Sequence, residues 1–147
     1  MSAAQALHGL RSVLPRGGAL TDESWEARHR GIRLLAWLHV PVLAVLMVLN
    51  SRVEPYTVAL LGVSALLAAG GYGPTSQGVR SSAVTLSMLT STALLIEVFH
   101  GLIEMHFHYF VVVAVVAIYQ KWTPYLLGVG FVLVQHCLLY TSPSPRD

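Results

Sequence analysis

The stretch Ile32-Arg33-Leu34-Leu35-Ala36-Trp37-Leu38-His39-Val40-Pro41-Val42-Leu43-Ala44-Val45-Leu46-Met47-Val48-Leu49 decides the fold. It holds one charge near its start, one imidazole and one proline, and is otherwise apolar or aromatic. As a helix it is about 27 Å long, which matches the hydrocarbon core of a bilayer. Working outward, four further apolar blocks follow: Tyr56 to Ala69, Ala83 to Phe99, Leu102 to Gln120 and Tyr125 to His136. They are separated by breakers: Gly70-Gly71-Tyr72-Gly73-Pro74, His100-Gly101 and Lys121-Trp122-Thr123-Pro124. Across the 147 residues 54% are hydrophobic and 11% charged, and this balance, gathered into long blocks, departs from that of a soluble domain. The reading is an all-α polytopic transmembrane helix bundle with five spans visible, the fifth truncated, and six in the intact protein.

The two ends of the chain bound that bundle. Residues 1–31 read as a cytoplasmic lead in which Thr21-Asp22-Glu23-Ser24 resembles a helix start, and no apolar run before Leu20 is long enough for a secretory signal. Cys137 to Asp147 back-translates to a string that resembles the transposon end and read adapter of sequencing libraries. The tail 137–147 is therefore expected to be translated adapter, the native fragment to be 1–136, and His136 itself to be open to replacement by Gln. The single cysteine lies in that tail, so no disulfide chemistry is argued. A net charge of +2, dispersed along the chain, excludes nucleic-acid binding. Arg28, Arg30, Arg33, Arg80 and Lys121 fall on one side of the expected spans and Arg52 on the other. The positive-inside rule then puts the N-terminus in the cytoplasm and the Phe99 to Leu102 turn outside.

Chemistry concentrates in Glu97-Val98-Phe99-His100-Gly101-Leu102-Ile103-Glu104-Met105-His106-Phe107-His108. Ionisable groups in a span are costly, so their presence marks a candidate site. If one helix carries His100, Glu104 and His108, they fall within about 80° of one another, and His106 lies about 160° from His108. If the chain turns at Gly101, Glu97 and the later residues sit on two helices. Imidazole and carboxylate suit Fe, Cu or Zn. The expected site is a transition metal or haem near the outer leaflet, with His106 and His108 as ligands and Glu104 as ligand or orienting acceptor. His108 is expected to work with Glu104 and His100, and His106 with a neighbouring helix through His39; His136 is a further candidate. His8 and His29, outside the blocks, are read as bonding only headgroups, water or backbone, and Trp25, Trp37, Trp122 and Tyr119 as interface anchors.

The segments Arg28-His29-Arg30, Trp37-Leu38-His39-Val40-Pro41, Glu104-Met105-His106-Phe107-His108 and Trp122-Thr123-Pro124, with Phe131 to His136, resemble the multi-helix membrane sensor region of bacterial signalling proteins. In that family the region precedes histidine kinase, diguanylate cyclase or phosphodiesterase, or chemotaxis-receptor output domains. The resemblance covers residues 24–136 and implies that His39, His100, Glu104, His106, His108 and His136 are the characteristic polar positions. Gln135 stands where a second histidine is usual. It implies a sensory input module in a bacterial inner membrane, partnered by lipid, by a cytoplasmic output domain and by a second copy in a homodimer. Two other classes fit the same residues: a membrane redox or electron-transfer protein with His-ligated haem or metal, and a proton or metal transporter.

Overall fold

The computed structural model describes residues 20–141. His8, most of the expected lead and the tail beyond residue 141 lie outside the described residues. Five helices follow in order: α1 Asp22–Leu49, α2 Pro55–Gly70, α3 Gln77–Val98, α4 Ile103–Ala117 and α5 Trp122–Thr141. No strand occurs among the described residues.

Each apolar block becomes a helix, but α1 and α3 begin well before theirs. Thr21 caps α1, its Oγ1 accepting from Ser24 N at 3.3 Å, and Ser76 caps α3, accepting from Val79 N at 3.4 Å. Pro55 opens α2 beside the reciprocal Glu54 and Thr57 capping box. Pro41 does not end α1, which runs through it as one helix. Among the described residues two helices, α1 and α3, are long and apolar enough to cross a membrane. At 16 and 15 residues α2 and α4 are apolar but span only about 24 and 22 Å. The expected all-helical order of five elements is therefore met, and the expected membrane spans only in part.

Helix α3 is the centre, packing against each of the other four. It buries Ser81, Thr85, Ser87, Thr90, Ser91 and Thr92, whereas α1 turns Leu34, Leu38, Val42, Val45 and Val48 outward. Hydroxyls stand inside among Val84, Met88, Leu89, Leu94, Ile96 and Val98, while a row of aliphatic chains faces outward, more apolar surface than a soluble bundle exposes. The hydroxyls hold helices together: Ser87 Oγ donates to Ser64 O at 2.8 Å, and Ser64 Oγ and Ser91 Oγ meet at 2.6 Å. Small residues at this α2–α3 contact let the backbones approach, and each interhelical hydrogen bond adds about 0.6 kcal/mol.

The α3–α4 turn sets where the histidines fall. Gly101 N donates to Ile96 O at 2.8 Å and His100 N to Glu97 O at 3.1 Å, the paired bonds of a Schellman ending. His100 takes the left-handed position at φ 56°, followed by Gly101 at φ 75°. The chain thus turns at Gly101, and Glu97 and Glu104 stand on different helices.

Candidate functional site

Four of the six sequence candidates meet as two pairs. His39 on α1 and His108 on α4 bring their Nε2 atoms to 3.3 Å, with ring centres 5.2 Å apart. His106 on α4 and His136 on α5 stand with ring centres 5.8 Å apart. His106 does not reach His39; their helix faces diverge, and it is His108 that turns toward α1. His100 is exposed in the turn and Glu104 is exposed in the first turn of α4. Among the described residues no hydrogen bond or ring contact joins either of them to His108. Nor do any three of His, Cys, Asp and Glu gather so as to hold a metal ion among the described residues.

The hydrogen bonds around the first pair determine its protons. His39 Nδ1 lies 2.6 Å from Leu35 O, which only accepts, so Nδ1 carries the hydrogen. Thr92 Oγ1 donates its proton to Met88 O at 2.9 Å and therefore accepts from His108 Nδ1 at 2.8 Å. In the neutral rings both Nε2 atoms are then bare lone pairs pointing into the same gap. His39 lies ten residues, about 15 Å, from the Leu49 end of α1, so this gap is in the middle of the bundle. The second pair repeats the anchoring: His106 Nδ1 donates to Leu102 O at 3.2 Å and His136 Nδ1 to Val132 O at 2.8 Å. Tyr109 beside it donates its hydroxyl to Gln135 Oε1.

A second polar assembly occupies the basic end of the bundle, around a residue read from sequence as peripheral. His29 is completely buried: Nε2–H donates to Gly71 O at 2.9 Å, and Nδ1 accepts from the Tyr119 hydroxyl at 2.9 Å. Its ring stacks on Trp25 at 4.6 Å. Trp25 and Tyr119 are themselves fully buried and not interface anchors. Arg80 joins Glu26 at 2.6 Å, reaches Gly71 O at 3.2 Å through Nε, and lies over the Trp25 ring at 5.0 Å. Lys121 donates to Gln77 at 2.6 Å, and Arg28 to Ile118 O at 2.8 Å. Burial holds the His29 imidazole below its usual pKa, and the Arg80 hydrogen bonds hold the Glu26 carboxyl below the usual carboxylate range. Burial also pushes the Tyr119 hydroxyl well above its ordinary range. The signal for this cluster was periodicity: Trp25, His29, Ile32, Ala36, Leu43 and Met47 form one buried stripe that begins before the apolar block.

The class these features define is an all-helical chain with buried hydroxyls at its centre and histidines paired between helices. The chain is similar to Transducer protein Htr8 of Halobacterium salinarum, with 30% identity over 135 residues that cover 83% of this chain and 21% of that protein. It thus spans about a fifth of the length of that curated relative. No family model matches the chain, and no solved structure matches it.

Proposed function

We propose that this chain is the membrane-embedded sensory input module of a signal-transduction protein, with the His39–His108 pair at the centre of its input site. The similarity to a transducer protein supports a signal-transduction role. The single observation that carries the membrane part is the row of exposed Leu and Val along α1, set beside buried Ser and Thr along α3. Two helices long and apolar enough to cross a bilayer favour the same reading. An imidazole pair inside such a bundle is costly unless used, which favours a ligand or metal site there. In this reading all five helices insert, the shorter ones by local thinning of the bilayer or with flanking polar residues at the surface. The N-terminus lies in the cytoplasm, and a cytoplasmic output domain follows a sixth helix.

The test begins at the locus. The reading frame beyond codon 136 is expected to complete the bundle and continue into a histidine kinase, cyclase, phosphodiesterase or chemoreceptor signalling domain. The intact product is expected to stay in membranes washed with alkaline carbonate. A product released by the wash ends the membrane reading, and a frame that continues into an oxidase or a transporter ends the sensor reading.

A further inference from the structure

We infer that His39 and His108 are the two protein ligands of a single first-row transition-metal ion, bound through their Nε2 atoms in the middle of the bundle. The inference specifies the chemistry of the input site proposed above and rests on that reading for its biological use, though not for its geometry.

Three observations converge. Both Nδ1 atoms are committed as donors, to Leu35 O and to Thr92 Oγ1, so each ring is held in the tautomer that leaves Nε2 bare. Metal-bound histidines are held in this way, with the far nitrogen hydrogen-bonded to a carbonyl or similar acceptor that orients the ring. The two bare nitrogens are 3.3 Å apart. With each at the usual 2.0 to 2.1 Å from one ion, that separation makes an N–metal–N angle of about 107°, close to tetrahedral. Finally, the ring centres are 5.2 Å apart, which exceeds the nitrogen separation by less than one imidazole diameter. The rings therefore approach at an angle and not in a straight line.

The 3.3 Å contact also meets hydrogen-bond geometry, so a shared proton is the competing occupant of the gap and metal titration distinguishes the two. An angled approach leaves room for a cation beside the line joining the nitrogens. The gap is also too narrow for a porphyrin plane, whose two axial nitrogens stand on opposite faces. The rest of the coordination shell is then water or an exogenous ligand, since no third His, Cys, Asp or Glu joins the pair among the described residues. An ion with open positions is the arrangement that takes up a small ligand.

The experiment uses the intact protein in detergent, stripped with chelator and titrated with Zn2+, with Co2+ as the spectroscopic probe. One Zn2+ per chain is expected at this pair, with the strong visible bands of tetrahedral Co2+, and both are expected to be lost in His39→Ala and in His108→Ala. They are expected to remain in His100→Gly and His106→Ala. Thr92→Val keeps the shape of the side chain but leaves His108 Nδ1 without its acceptor, and affinity is expected to fall about 10- to 100-fold. Thr92→Val carries the test if the alanine variants do not fold, as judged by their melting transitions. Folded protein that takes up no Zn2+, or takes up Zn2+ that survives His39→Ala and is lost in His106→Ala, overturns the proposal. In the first of these cases the pair holds a proton. Because Zn2+ uptake is read without any output activity, its failure is distinct from failure of the sensor reading.

Discussion

His29 has no exposed atom to present to a headgroup, and its two hydrogen bonds tie α1 to the α2–α3 loop and to the α4–α5 loop. In the neutral ring Nε2 donates to Gly71 O, which only accepts, and Nδ1 accepts from the Tyr119 hydroxyl. Protonating Nδ1 reverses the Tyr119 bond and buries a charge, with Arg80 and Arg33 nearby, and burial first and then these cations lower its pKa. With the folded value below the unfolded 6.5, the folded state binds fewer protons, and stability rises with pH. The contribution is complete above the unfolded value and is lost as pH falls from about 6.5 through the lower folded value. Melting of the detergent-solubilised protein is therefore expected to fall between about pH 8 and pH 5. Tyr119→Phe removes the donor and is expected to cost about 1 to 3 kcal/mol at neutral pH. Gly71 is fixed by the same assembly: a Cβ there would come within 2.6 Å of Val84 Cγ2, so Gly71→Ala is expected to lower the melting temperature without altering metal uptake.

At the level of helices, order and breaks were legible because Gly70-Gly71, His100-Gly101 and the residues before Pro124 interrupt continuous apolar runs. The start of α1 was legible in Thr21-Asp22-Glu23-Ser24: Thr21 caps the helix, which begins at Asp22, ten residues before Ile32. The start of α3 was not, because apolar content defined its block whereas the helix begins with a polar turn capped by Ser76, six residues before Ala83. Helix-face arithmetic told which residues share a side of α4, and it correctly separated His106 from His108. It could not tell which neighbour each side meets, and so it paired His106 with His39, whereas α1 lies against the His108 face. It also offered His100 as a ligand, although its role is to end α3. His100 occupies a left-handed position that disfavours any residue with a Cβ. His100→Gly is therefore expected to raise stability by about 0.5 to 1 kcal/mol, read as a higher melting temperature. A fall in stability would show that the His100 ring makes contacts that outweigh its backbone strain.

Across the whole molecule, the cations sort to one end. Glu26 on α1 holds Arg80 on α3, Asp22 on α1 accepts from Gln77, and Gln77 accepts from Lys121 ahead of α5. Arg33 lies over Tyr72 at 3.8 Å on the same side. The start of α1, the α2–α3 loop and the α4–α5 loop thus share one end, carrying Arg28, Arg30, Arg33, Arg80 and Lys121. At the other end Arg52 is paired with Glu54 at 3.0 Å, close to where α1 passes to α2. Lys and Arg near helix ends resist translocation, so under the proposed membrane reading the end with five of them is expected in the cytoplasm. The test places single cysteines at two exposed positions, Glu23→Cys at the basic end and Leu102→Cys at the other, with Cys137→Ser to remove the background thiol. In intact cells an impermeant maleimide is expected to label Leu102→Cys, and Glu23→Cys only after permeabilisation. The opposite pattern would invert the bundle, place the α3–α4 turn inside, and leave the basic end, with its buried His29, facing the outside medium.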